Sequence, residues 1–129
     1  MSLTTDGIEA EQKARLFLKS KGLNNLQQID WLLKKDGEYY IFEVKQRELF
    51  EPPPFEGTGL DIKQIKLRKQ LYDDLGIDTI LMVFVNEVVY WQKLFSILEK
   101  TKYFDTKNDI RIYNIKEFKS EKISLAKQK

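Results

Sequence analysis

Apolar residues recur at helical spacing in two stretches of the chain. The first stretch predicts a helix over residues 6–21, which ends at Gly22. The second predicts a helix over residues 61–75, which ends at Gly76. Both glycines favour these ends, because glycine readily takes the left-handed conformation that closes a helix.

Alternating or continuous apolar runs predict two pairs of strands. Residues 26–33 and 39–44 flank a turn that contains Asp36-Gly37, which is typical of an antiparallel hairpin. Residues 80–85 and 88–91 form a second hairpin around Asn86-Glu87. Since residues 80–85 are apolar on both faces, we expect them to form a central strand that is covered on both sides.

The remaining segments complete the predicted order. Residues 48–59 carry three consecutive prolines and predict a loop, since proline cannot join a sheet ladder. Residues 92–100 predict a short helix, residues 110–115 a late edge strand, and residues 119–129 a frayed tail or a partly docked helix. The order α-β-β-α-β-β-α-β predicts an α/β fold with a mixed central sheet flanked by helices.

Length and composition limit the possibilities further. The 129 residues fit a single domain over 1–129, with a core at about 7–115 and a basic tail at 116–129. The chain has no apolar run long enough to cross a membrane, no secretory leader pattern and no cysteine. We therefore expect a cytoplasmic protein without a membrane partner.

The absence of histidine narrows the chemistry. Without histidine or cysteine, catalytic triads, thiolate nucleophiles and zinc sites with these ligands are excluded. A bound metal must be held by oxygen, which favours magnesium, manganese or calcium. The net charge is +2, and the excess of basic residues lies in the second half of the chain. This distribution suits lysines that contact phosphate around an acidic centre, although the charge distribution alone favours an ordinary mixed, solvated surface.

The segment Ile41-Phe42-Glu43-Val44-Lys45 is the strongest candidate for a functional site. In a strand, Glu43 and Lys45 point to one face, while Phe42 and Val44 point to the other. Asp30 lies on the preceding predicted strand, and a helix with carboxylates comes before it. Two or three acidic oxygens and one ammonium group then converge, which suits a hard divalent cation and phosphodiester hydrolysis.

This arrangement resembles the PD-(D/E)XK nuclease superfamily, which is restriction-endonuclease-like and includes Holliday-junction resolvases. The resemblance covers roughly residues 7–91. It depends on a first helix with Glu11-x-x-Ala14-x-x-Phe17-Leu18, on Ile29-Asp30, on Glu43-Val44-Lys45 beyond a hairpin, and on a second helix with Gln64. The residue before Asp30 is Ile29, whereas the family motif has proline at that position.

The resemblance implies roles for these residues. Asp30 and Glu43 would hold Mg²⁺, for which Mn²⁺ would substitute, and the Val44 carbonyl would add a ligand. Lys45 would orient the attacking water and offset negative charge on the phosphate.

Two further residues join the predicted catalytic set. Glu11 would complete the acidic cluster, and it is favoured over Glu9 because it shares a helix face with Ala14 and Leu18. Gln64 would bind the phosphate, a metal-bound water or Lys45, with an ordinary exposed helix position as the alternative.

A basic stretch on the second helix predicts contacts with nucleic-acid phosphates, or else a solvated helix face. Its members are Lys63, Lys66, Arg68 and Lys69.

The sequence therefore predicts a Mg²⁺-dependent endonuclease that acts on DNA. A chain of this size has little surface for specific recognition, so we expect a homodimer or a subunit of a larger nucleic-acid-processing assembly. A structure-selective enzyme for branched DNA, or a phage or mobile-element nuclease, is favoured over a restriction enzyme. The alternatives are a non-catalytic nucleic-acid-binding or assembly module on the same fold, and an α/β protein without a nucleic-acid role.

Overall fold

The computed structural model describes residues 5–23 and 29–123. It has two α-helices and eight strands within these residues, and two short 3₁₀ turns. In chain order they are α1 (Thr5–Ser20), β1 (Trp31–Lys35), β2 (Glu38–Gln46), β3 (Gly57–Asp61), α2 (Ile62–Leu75), β4 (Asp78–Val85), β5 (Val88–Lys93), β6 (Tyr103–Asp105), β7 (Ile110–Asn114) and β8 (Lys119–Lys122), with 3₁₀ turns at Leu98–Lys100 and Ile115–Glu117.

The main sheet is mixed and has the strand order β1-β2-β4-β5-β8. Strands β2 and β4 are parallel, and the other neighbours are antiparallel. The β1–β2 hairpin turns at Asp36 and Gly37, which both have positive φ, as a tight two-residue turn requires. A parallel pair needs a crossover, and α2 lies within the connection between β2 and β4. The prediction of an α/β fold with a mixed sheet is thus confirmed.

Helix α2 covers one face of the sheet and closes the core there. Ile65 on α2 belongs to the same buried cluster as Leu81 and Val83 on β4, together with Leu94 and Tyr113. The helix ends at Gly76, whose positive φ lets its N–H bond the carbonyl of Tyr72.

A second sheet of three strands, in the order β3-β7-β6, packs beside the first. Gly59 of β3 lies opposite Ile112 of β7, and its backbone runs so close to Arg111 that a side chain there would collide with the Arg111 carbonyl. Glycine therefore permits this strand pair to form.

The other face of the main sheet is open, contrary to the expectation of cover on both sides. On β4, Leu81 and Val83 are buried on the α2 side, whereas Met82 and Phe84 on the opposite side are only half-buried. Helix α1 does not bury this face, because its described residues are exposed except for half-buried Gly7 and Leu18.

Four further expectations about the elements are corrected. The predicted loop over residues 48–59 leads into strand β3. Residues 110–115 contain β7, which lies between β3 and β6 and not at the edge of a sheet. The predicted tail contains a strand, β8, which pairs with β5. Residues 92–100 do not form a regular helix. The Asp78 carboxylate accepts hydrogen bonds from the N–H groups of Phe95 and Ser96, and the Leu94 N–H bonds the Thr79 carbonyl, so the segment is held against β4 instead.

Two predicted segments extend beyond the described part of the chain. Residues 26–28 of the first predicted strand and residues 124–129 of the predicted tail lie outside the described residues. Within the described ranges, no helix has the length and apolar character needed to cross a bilayer.

Candidate functional site

Strand β2 carries the charged pair that the sequence singles out. Alternation along β2 directs Ile41, Glu43 and Lys45 to the face that α2 covers, where Glu43 lies opposite Leu81 in the β4 register. Glu43 is only 2% exposed. A carboxylate at such a depth requires polar partners, because an unpaired buried charge is strongly unfavourable.

Helix α2 provides both partners of Glu43. Arg68, also 2% exposed, donates from Nε to Oε1 over 2.6 Å and forms an ion pair with the same oxygen through a terminal nitrogen. Gln64 donates from Nε2 to Oε2 over 2.7 Å. Both oxygens of Glu43 therefore accept hydrogen bonds from side chains one helical turn apart on α2.

The protonation of Glu43 reflects competing effects. Burial is the largest and raises the pKa of the Glu43 carboxyl, and the negative charge of Asp30 raises it further. The hydrogen bond and the charge of Arg68, with a smaller effect from Lys45, lower the pKa. The net direction is upward, so desolvation outweighs the guanidinium.

Asp30 lies at the edge of the sheet next to Val44. Its Oδ2 accepts a hydrogen bond from the Val44 N–H over 3.0 Å, and the residue is exposed. In a strand the N–H and C=O of one residue face the same neighbouring strand, so the Val44 carbonyl is directed to the same edge as Asp30. The structure therefore brings Asp30, the Val44 peptide and Glu43 together.

Lys45 follows at the next position on the same face as Glu43. It is half-buried, and its charge acts on Glu43. Because β2 runs from buried Glu43 to exposed Gln46, Lys45 lies between the interior and solvent.

Glu11 does not join these residues. It is exposed on α1 and pairs with Arg15, one turn later, over 3.5 Å. Its competitor Glu9 is exposed as well. Across residues 5–23 and 29–123, no three acidic side chains gather into a group suited to a metal ion. The acidic centre is therefore Asp30 with Glu43, without a third carboxylate from α1.

The basic stretch of α2 divides into three environments. Lys63 and Lys66 are exposed, as phosphate contacts require. Lys69 is exposed but bonds Asp73 over 2.5 Å, which compensates its charge. Arg68 lies in the interior against Glu43, so it is not on the surface, where the predicted phosphate contact would need it. The reason is that the buried carboxylate of Glu43 requires a cation as its partner.

Arg68 is thus a site residue whose role the sequence prediction missed. A signal for it was present: Ile65, Arg68 and Tyr72 share the inward side of α2 at spacings of three and four. A cation on the apolar side of a helix requires an acidic partner in the core, and Glu43 is the acid on the facing strand.

The donor set fits a hard divalent cation by its chemistry. The Asp30 carboxylate and the Val44 carbonyl face one edge, Glu43 is close by, and each carboxylate oxygen has two acceptor positions. Oxygen ligands of this kind suit Mg²⁺ or Mn²⁺. Arg68 and Lys45 already balance the two carboxylates, so a cation at this site would compete with the guanidinium for Glu43.

A comparison with solved structures finds proteins of similar fold. No protein-family model matches the chain, and no curated protein sequence does. The crystal structure of a Holliday junction resolvase, Hjc from Archaeoglobus fulgidus, superposes with a TM-score of 0.46 at 11% sequence identity, over 87% of this chain and 91% of that chain.

Proposed function

We propose that this protein is a metal-dependent endonuclease that hydrolyses phosphodiester bonds in DNA. The observation that supports the proposal is that Asp30 bonds the Val44 peptide while the charges of Asp30 and Lys45 both act on buried Glu43. Two carboxylates and one ammonium group are the groups that this hydrolysis requires in a chain without histidine.

The residues have distinct parts in the proposed reaction. Asp30 and Glu43, with the Val44 carbonyl, would hold Mg²⁺ or Mn²⁺, which when bound polarises phosphate oxygens and lowers the pKa of water. Lys45 orients the attacking water and offsets the negative charge that builds up on the phosphate. Gln64 and Arg68 position Glu43 through the hydrogen bonds to its two oxygens.

Lys63 and Lys66 supply the contacts to the DNA backbone. Both are exposed on α2, the helix that also carries the two partners of Glu43. Phosphate contacts fix the position of a duplex without reading its sequence, which agrees with a structure-selective enzyme. The small binding surface favours action as a homodimer or within a larger assembly.

A cleavage panel tests the proposal. Single-stranded, duplex, flapped and four-way DNA are incubated with the protein and Mg²⁺ or Mn²⁺, with a chelator as the blank. We expect cleavage that Lys45→Ala and Asp30→Asn each reduce by about 100-fold or more, the cost of losing one preorganised group at a reacting phosphate. Lys116→Ala and Asp36→Asn, which change an exposed lysine and a turn aspartate elsewhere, serve as matched controls and retain the activity.

The burial of Glu43 favours a second candidate, a non-catalytic nucleic-acid-binding module. A carboxylate that is 2% exposed and bonded through both oxygens is already neutralised without a metal ion. In that case the protein shifts the mobility of branched or linear DNA at low salt, yet every substrate in the panel stays intact with either metal. Calorimetry would then show no heat of Mg²⁺ binding that depends on Asp30.

A further inference from the structure

Strand β1 ends the main sheet and exposes apolar side chains on both of its faces. Trp31 is 64% exposed, Leu32 54% and Leu33 48%. Alternation directs Trp31 and Leu33 to the open face and Leu32 to the face of α2. Among the described strands, β1 pairs with β2 alone, so its other edge is unpaired.

An exposed apolar edge strand is a pairing site that proteins normally block. In β1 the charged residues that discourage pairing, Lys34 and Lys35, occupy only the last two positions of the strand. A helix laid on the open face would cover Trp31 and Leu33 but would leave Leu32 and the backbone edge exposed. A strand added alongside β1 covers both faces and satisfies the edge, so the fitting occupant is another strand.

The apolar surface at the β1 edge extends onto the open face of the main sheet. An apolar hollow of about 390 Å³ adjoins β1 and is lined chiefly by Trp31, Leu33, Phe42, Val44, Met82 and Phe84. The apolar surface therefore continues from the unpaired edge onto the sheet, and it is larger than the isolated apolar residues that ordinary surfaces carry.

We propose that a second copy of this chain pairs its β1 with β1 in antiparallel orientation, with the twofold axis at Leu33. Leu33 then faces Leu33 of the partner subunit, Trp31 faces the partner's Lys35, and Leu32 faces the partner's Lys34. A parallel pair would instead set each lysine beside the same lysine of the partner. The antiparallel register separates these charges, so the strand is complementary to itself.

The pairs in this register are favourable ones. A lysine opposite tryptophan gains a cation–π contact, and the stem of a lysine covers leucine while its ammonium group stays in water. The hairpin already contains one contact of this kind, since Lys34 Nζ lies 5.6 Å from the centre of the Tyr39 ring.

This interface specifies the homodimer expected of the proposed nuclease, although its formation needs no catalysis. Asp30 directly precedes β1, so the two copies of Asp30 lie six strand positions apart across the axis. At about 3.4 Å per residue, this separates them by about 20 Å along the joined strands. The dimer would thus present two sites related by the twofold axis, with a continuous sheet between them.

Cysteine cross-linking tests the register, because the natural chain has no cysteine. In Leu33→Cys the two cysteines face each other with Cα atoms about 4.5–5.5 Å apart, within the range of a disulfide. In Leu32→Cys the two cysteines are diagonal neighbours about 7–8 Å apart, beyond that range. Leu16→Cys, at an exposed leucine of α1, measures cross-linking by random collision.

We expect the unmodified chain to sediment as a dimer at micromolar concentration. With copper phenanthroline as oxidant, we expect Leu33→Cys to form the covalent dimer at least tenfold faster than either of the other variants. A monomer at 100 µM overturns the inference. A dimer in which Leu33→Cys reacts no faster than Leu16→Cys also overturns it and places the interface elsewhere. Neither result bears on DNA cleavage, which the substrate panel measures separately.

Discussion

Two arginines of this protein are both held by carboxylates, yet their surroundings differ. Arg68 pairs with Glu43 beneath α2, both 2% exposed, and the charges of exposed Asp30 and half-buried Lys45 also act on Glu43. Arg111 on β7 donates to Asp105 over 2.8 Å and to Glu99 over 3.0 Å. Glu43 therefore has charged neighbours besides its arginine, whereas Arg111 is shared by two carboxylates.

The Arg111 cluster is complete within the chain. The guanidinium also lies 4.0 Å from the centre of the Tyr103 ring, and the buried Tyr113 hydroxyl donates to Glu99. Burial, followed by the bond to Glu99, raises the pKa of Tyr113. Every charge there has a neighbour that compensates it, so the cluster has a structural role. We therefore place the proposed site at Glu43, on which Asp30 and Lys45 also act, and not at the Arg111 cluster.

The largest expected effect comes from breaking the pair of Glu43. Arg68→Ala leaves a carboxylate buried without its cation, and we expect a loss of about 3–5 kcal/mol in the free energy of unfolding. Urea denaturation followed by circular dichroism measures it. The double variant Glu43→Leu with Arg68→Met should recover most of this loss, since an apolar pair replaces a buried ion pair at little cost. A loss below 1 kcal/mol in Arg68→Ala would mean that water reaches Glu43.

A smaller effect is expected at the enclosed cluster. Arg111→Ala should reduce the free energy of unfolding by about 1–3 kcal/mol, because Glu99 loses a charged donor but keeps the Tyr113 hydroxyl. The same denaturation measurement checks it. Cleavage per folded molecule should remain within twofold of the unmodified protein, and a larger fall would show that the β7 cluster takes part in the proposed function.

The salt dependence of DNA binding should distinguish the exposed lysines of α2 from those near β6. Lys63→Ala combined with Lys66→Ala should lower the slope of log binding constant against log salt for DNA by about 2, roughly one for each phosphate contact. Lys102→Ala with Lys107→Ala, two exposed lysines that flank β6, is the matched control with an unchanged slope. Equal changes in both double variants would remove the distinction between the two regions.

The smallest expected effect concerns pH. The pKa of Glu43 is raised in the folded protein, so the folded state holds the proton more strongly than the unfolded state does. Stability from this group is therefore present below the ordinary carboxyl value of 4.5 and falls as pH rises through the higher folded pKa. We expect the unfolding free energy of the unmodified protein, relative to that of Glu43→Gln, to decrease as pH rises from about 4.5 through the raised pKa of Glu43. An increase with pH would mean that Arg68 outweighs the burial of Glu43.

The sequence predicted the elements that local chemistry determines. The Asp36-Gly37 turn fixes the first hairpin, and Gly76 ends α2 where the periodicity stops. Strands β3, β6 and β8 were not predicted, and for β3 and β8 the structure gives a physical reason. Gly57-Thr58-Gly59 has the composition of a loop and becomes a strand because β7 approaches its bare backbone, while Lys119–Lys122 has no apolar face and pairs with β5.

The part of the candidate site that lies on β2 and the β1–β2 hairpin could be predicted from the sequence. The spacing of Asp30, Glu43 and Lys45 depends on strand alternation and one turn, both of which are local. The contact between Glu43 and Arg68 joins residues 25 positions apart, and its partner choice depends on how α2 crosses the sheet. The predicted position of Glu11 failed for the same reason, because α1 and the sheet are related by long-range packing.

The parallel pairing of β2 with β4 has a consequence for the order of folding. The β1–β2 and β4–β5 hairpins close over a few residues, whereas β2 meets β4 only after the whole crossover through α2 has closed a long loop. Contacts between distant segments form slowly, because the loop entropy is lost before any of them is made. Asp30 and Glu43 belong to the first hairpin, whereas Arg68 meets Glu43 only across that closure. In a chain emerging from the ribosome we therefore expect the two carboxylates to come together before the arginine that compensates Glu43 arrives.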